Sequence, residues 1–166
     1  MTVLVVNQTK IRIPAKRITR IAAGLLREFA RRGWRKFRAY DLAIVFMGDR
    51  ESGILHQRFF RKSKPANVLS FDYGSAGEII LAPGVIRHEA REARESFAAR
   101  LLRLLIHGFV HLAGIHHEKS HALLRRADAL EAACARRFGL IDSAGISPPA
   151  RRGRGRKSSA KHIRRH

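Results

Sequence analysis

Residues Leu105–Glu118 read LIHGFVHLAGIHHE. Leu101, Leu102, Leu104, Leu105 and Leu112 place apolar side chains at helical spacing through and ahead of this stretch. His107 and His111 are four residues apart, so a helix puts them on one face about one turn from each other. Gly114 stops the helix and permits a sharp exit, because glycine tolerates positive φ. That exit can bring His117 back toward the first two. Three converging imidazoles suit zinc, which takes three His ligands in catalytic sites and leaves a fourth position for water. Such a zinc lowers the pKa of its water toward ~7 and generates hydroxide at neutral pH. The competing reading is a set of helix histidines that hold no metal.

The spacing H-x3-H-x2-G-x2-H also occurs in metzincin proteases, which carry Glu directly after the first His as general base. Here that position is Gly108, which cannot accept a proton. Peptide hydrolysis by that route is therefore disfavoured while the metal-ligand pattern survives. The charge of the chain points to a different scissile bond. Lys plus Arg is 34 against 13 Asp plus Glu in 166 residues, a formal net charge of +21. A charge of that size repels itself and is matched by a polyanion, with nucleic acid ahead of an anionic membrane surface. A metal-assisted cut in a phosphodiester satisfies both observations.

The rest of the chain reads as α/β around this helix. Val3–Val6 is a short β-branched run and a strand, and Asp41–Met47 (DLAIVFM) is a buried one. Between them Pro14 opens a helix whose apolar face runs from Ile18 to Phe29, and Gly33 closes it. Asp49 is the expected cap of a helix from Glu51 to about Phe60. Val68–Phe71 and Glu78–Leu81 form two short strands joined through Asp72, Gly74 and Gly77. Pro83 then opens one long helical stretch that continues to Leu112, and a final helix runs from about Ser120 to Phe138.

Two domains of behaviour are expected. Residues 1–146 form the folded part. Residues 147–166 carry eight cations and no acid among Pro, Gly, Ser, Ala and His, and read as a disordered basic tail that binds polyanions or aids solubility. Without those eight, the other 26 cations still face 13 acids, so residues 1–146 keep +13. The single cysteine, Cys134, excludes an internal disulfide framework and a thiolate zinc cluster, and suits a reducing cytoplasm. Residues 1–20 lack a basic stretch ahead of an apolar one, so no signal peptide is expected. No apolar run approaches the ~20 residues of a membrane span.

The run His107-Gly108-x-x-His111-Leu112-x-Gly114-x-x-His117 resembles the signature of the YbeY family of bacterial rRNA maturation factors, metal-dependent single-strand endoribonucleases. Lys64-Pro65-Ala66-Asn67-Val68-Leu69-Ser70-Phe71 resembles that family's K-P-T-N-V-L-S-F block, and Gly77-Glu78-Ile79-Ile80 its Gly-Asp-Ile block. The resemblance covers about residues 1–140. It implies an α/β (α+β) fold, with a small mixed four-stranded sheet packed by about five helices and a metal site at the end of the long helix. It implies one zinc per chain held by His107, His111 and His117. It further implies cytoplasmic processing of the 16S rRNA 3′ end and ribosome quality control, on the small ribosomal subunit, with the GTPase Era and small-subunit ribosomal proteins as partners and no membrane.

Three positions depart from the family pattern. Ile115-His116 replaces Tyr-Asp, leaving His116 as a proton shuttle, a competing ligand or an exposed side chain. Ala66 replaces Thr. Many members carry an Arg after an aromatic in the loop before K-P-T, where this chain has Phe60. Arg61 is the expected catalytic substitute, with Arg58 the alternative. Arg58, Lys62 and Lys64 are the expected RNA-binding cations, beside Phe59 and Phe60, which read as core residues rather than as base-stacking ones. His56 lies near this basic loop and His88 and His121 read as exposed. Cys134 reads as core, and Glu78 either supports the site from behind or is structural. The activity expected is a zinc-dependent endoribonuclease. The alternatives are a ribosome-assembly RNA-binding factor with a structural zinc, and a metalloprotease.

Overall fold

The computed structural model describes residues 1–115 and 121–138. The β-branched and aliphatic runs become strands β1 (Thr2–Asn7), β2 (Asp41–Phe46), β3 (Val68–Asp72) and β4 (Ala76–Leu81). They form one mixed sheet in the order β1-β2-β4-β3. β1, β2 and β4 are parallel, and β3 returns antiparallel to β4 as an edge strand. Five α-helices pack with it: α1 (Ala15–Arg31), α2 (Asp49–Phe60), α3 (Pro83–Glu92), α4 (Phe97–Leu112) and α5 (His121–Arg137). The architecture is the expected α+β one. None of these helices is long and apolar enough to cross a membrane. Residues 139–166, expected to include the basic tail, and His116 and His117 lie outside the described residues.

Alternation along the strands gives the sheet two unlike faces. Leu42, Ile44, Phe46, Ile79 and Leu81 enter the large core, where they meet Leu25, Leu26 and Phe29 of α1 and Leu105, Ile106 and Phe109 of α4. Ala127, Leu130 and Cys134 of α5 close that core from outside. Burial pushes the Cys134 thiol up to about 11, as its place in the core requires. The other face carries a small cluster of Val45, Met47, Leu69 and Ile80, packed by Leu55 of α2. α4 and α2 thus lie on opposite faces of the sheet.

Two sequence expectations are corrected. The single helix from Pro83 to Leu112 is two helices. Arg94 takes a left-handed φ of 54°, and Ser96 restarts the chain by accepting a hydrogen bond from the Ala99 N–H at 3.1 Å. Asp49 does not cap α2, because it already lies in that helix's first turn behind Gly48. Its Oδ1 instead accepts from the Val85 N–H at 3.2 Å, satisfying an orphan donor at the start of α3.

Candidate functional site

α4 ends as its sequence dictates. Gly114 adopts φ +78° and its N–H donates to the His111 carbonyl, while the Ile115 N–H donates to Val110. This is a Schellman closure, with buried Ile115 as its apolar plug. It fixes the last turn of the helix, which carries His111, one turn beyond His107. Their rings meet at 4.5 Å between centroids, with Nε2 atoms 2.9 Å apart. The other nitrogen of His107, Nδ1, lies 2.7 Å from Glu131 Oε1 on α5. A carboxylate can only accept, so the Nδ1–H donates and the Nε2 lone pair is left facing His111. Both imidazoles are half-buried.

The donor set fits a metal. Two imidazole nitrogens face one point, and the far side of one ring is anchored by a carboxylate, an arrangement that orients metal-binding histidines. Among the described residues no group of three His, Cys, Asp or Glu is arranged to hold a metal ion. His117, the third expected donor, lies outside them. Glu131 was not found by sequence reasoning. Its signal, an acid beside the apolar positions Leu130 and Cys134, does not announce a partner 24 residues away.

Gly108 faces the sheet. A Cβ there would come within 3.1 Å of the Ile79 side chain and of Ser70 Oγ. The position that holds the protease base in metzincins is therefore filled by the sheet itself, and a glutamate side chain has no room.

The block at residues 64–71 ties the elements together. Asn67 donates from Nδ2 to both carboxylate oxygens of Glu89 on α3 at 3.0 Å, and Glu89 also accepts from Arg100 of α4. Ser52 donates to the Ala66 carbonyl at 2.7 Å. Ser70 faces α4, whereas Leu69 and Phe71 face α2. Glu78 pairs with Phe71 in register and so shares the α2 face, away from the histidines. It does not support them.

The four predicted cations come together at the end of α2 and in the loop after it, all exposed. Arg61 takes φ 55° as the residue that ends the helix, its N–H donating to the Gln57 carbonyl at 3.0 Å. His56 donates from Nδ1 to the Lys64 carbonyl at 2.7 Å and closes the loop on the helix. This basic group lies at the end of α2, the helix that packs on the sheet face opposite α4. The expectation that Phe59 and Phe60 are core residues is overturned, since they are 56% and 47% exposed. α2 ends beyond the small apolar cluster it covers, so its last two aromatics have no interior to enter. A groove of about 550 Å³ at the carboxyl ends of β1, β2 and β4 is lined by Lys10, Asp49 and Glu51 and by none of the predicted site residues.

Comparison with known proteins agrees with the arrangement. The family model described as endoribonuclease YbeY matches residues 4–137. The endoribonuclease YbeY of Bordetella avium is 33% identical over 137 residues, covering 79% of this chain and 84% of its own. That of Bdellovibrio bacteriovorus is 32% identical over 149 residues, covering 87% and 93%. A Thermotoga maritima protein solved in solution shares the fold, with a TM-score of 0.56 at 21% identity over 89% of this chain and all of its own. With helix, histidine pair and strand block all inside the matched span, the chain belongs to the endoribonuclease YbeY family.

Proposed function

We propose that this protein is a zinc-dependent, single-strand-specific endoribonuclease acting in rRNA processing, at the 16S 3′ end, and in ribosome quality control. The observation that carries the reading is the convergence of the His107 and His111 Nε2 atoms, in a chain of a family whose curated members are named endoribonuclease. His107, His111 and His117 would hold one zinc per chain. Bound there, zinc supplies Lewis acidity toward a phosphate oxygen and nucleophilic water at neutral pH. The chain's own residues do the rest. Glu131 holds the His107 ring so that Nε2 faces inward. Arg58, Lys62 and Lys64 bind the phosphates of the strand, and Arg61 stabilises charge that develops on the reacting one. Work on the small ribosomal subunit in the cytoplasm, beside Era and small-subunit proteins, belongs to the same proposal.

The test incubates zinc-loaded protein with single-stranded rRNA fragments, with duplex RNA and with casein, beside a His111→Ala variant. Cleavage of the single strands alone, lost in the variant, is expected. RNA binding without turnover would instead make the protein an assembly factor with a structural metal, and cleavage of casein would make it a protease.

A further inference from the structure

α2 covers only part of its side of the sheet. Beyond Leu55 a row of residues in register crosses the sheet on that face: Leu4, Ala43, Glu78 and Phe71. Leu4 is 58% exposed. Phe59 and Phe60 stand at the Phe71 end of this row, with ring centroids 5.1 Å and 6.4 Å from that of Phe71. Phe59 and Phe60 each meet Phe71 at a tilt rather than in a stack. Tyr73 follows at the end of β3 and is also exposed. Phe59 and Phe60 are exposed together beside partly buried Phe71, and a group of exposed aromatic side chains marks a binding surface. Cations adjoin them in the chain. The Arg58 guanidinium lies 5.7 Å from the Phe59 ring centre, and Arg61, Lys62 and Lys64 follow within six residues.

We propose that Phe59, Phe60 and Phe71 form a base-stacking platform for single-stranded RNA, with Arg58, Lys62 and Lys64 holding the phosphates between stacked bases. The proposal rests on the reading of RNA as substrate and adds where the bases sit. Single-strand binders combine these two elements, aromatic faces for bases and a basic track for the backbone. The charge of the surroundings selects a polyanion over an apolar peptide. Glu78, the acid in the row, can accept from a base amino group. The platform also places the strand. Phe71 and Ser70 are neighbours on edge strand β3, and Ser70 packs against Gly108, one residue from His107. A strand stacked on Phe59 and Phe60 needs only to cross the edge of β3 to present its next phosphates to the histidines. A rigid duplex has its bases paired and cannot stack in this way, so single-strand preference follows from the surface itself.

The experiment measures binding by fluorescence anisotropy of two labelled single strands of equal length: a 2′-O-methyl adenylate oligonucleotide and an abasic strand with the same phosphates. Parent protein is compared with Phe59→Ala/Phe60→Ala and Phe59→Leu/Phe60→Leu, each shown to unfold at the parent's temperature. The expected result is a loss of adenylate affinity in the Ala variant of about 5- to 150-fold per base unstacked. The Leu variant should lose nearly as much, since it keeps apolar bulk without a π face. Abasic binding and the salt slope should not change in either, because they count phosphates. The proposal is overturned if the Ala variant binds adenylate as the parent does, if Leu restores full affinity, or if the parent does not prefer the base-bearing strand. Full affinity with Leu would make the contact an apolar one rather than a stack. If the stacking losses appear but no RNA is cut, the platform stands and the nuclease reading falls.

Discussion

The carboxylate of Glu131 and the imidazole of His107 meet at 2.7 Å from two different helices, and this contact turns Nε2 of His107 toward His111. Removing it should loosen the ring that the metal uses. Glu131→Ala is expected to weaken zinc binding about 10- to 100-fold, measured by competition with a chelator. Glu131→Gln should recover most of this, since its amide oxygen still accepts from Nδ1–H. Equal zinc affinity in all three proteins would show that the contact does not orient the ring.

Gly108 should resist replacement. Alanine gains ~1 kcal/mol of helix propensity over glycine. Its Cβ would press against Ile79 and Ser70 at 3.1 Å, and overpacking of that kind costs ~1–3 kcal/mol. Gly108→Ala should therefore lose up to ~2 kcal/mol in urea denaturation. Gly108→Glu, which also buries a carboxylate, should lose more and should show no cleavage of casein. A stable Gly108→Glu with peptidase activity would contradict the packing argument.

Arg61 separates stability from activity. A non-glycine residue at φ 55° holds strain of ~1 kcal/mol or more, which glycine relieves. Arg61→Gly is expected to raise the melting temperature by about 2–4 °C. If Arg61 stabilises charge on the reacting phosphate, the same change should lower the cleavage rate about 10²–10³-fold with little effect on RNA binding. A variant that is more stable and cuts at the parent's rate would move the catalytic cation to Arg58.

Glu28 sets an acid limit on the fold. Its side chain is 1% exposed and accepts from Arg31 and Arg32 at 2.8 and 2.6 Å, with Arg137 at 3.2 Å. Burial alone would raise its pKa, but the three guanidiniums outweigh burial and the net shift is downward. A carboxyl lowered in the folded state contributes stability that is complete above its ordinary value of 4.5 and is lost as pH falls through the folded value. Glu28→Gln should cost no more than ~1–3 kcal/mol at pH 7, because solvent around the partly exposed arginines screens the pairs. The gap between variant and parent should shrink below about pH 4.5. A gap that stays constant down to pH 3 would show that the charge is not what stabilises.

The sequence carries some of this plainly. His107 and His111 are readable because their relation is a helical period, set locally. The strands are readable because β-branched runs sit between turn residues. Glu131 is not readable, because its partner is on another helix and only tertiary packing brings the two together. The break between α3 and α4 is hidden because Ala93–Glu95 continues the helical composition. Its signal was the Ser96 cap, which apolar periodicity on both sides outweighs. Phe59 and Phe60 are misleading for another reason. Hydrophobicity predicts burial only where another element supplies a covering surface, and α2 outruns the apolar cluster beneath it.

Trp34 is the chain's one tryptophan. Its indole N–H donates to the Ala113 carbonyl at 3.0 Å, at the closing turn of α4, and the guanidinium of Arg126 on α5 lies 5.1 Å from its ring centre. It therefore touches both helices that supply the imidazole–carboxylate contact. Fluorescence from that single indole is a built-in optical gauge of how α4 and α5 sit together. Filling of the histidine site, or any rocking of α5 as RNA arrives, can be followed by its emission in real time without an attached dye.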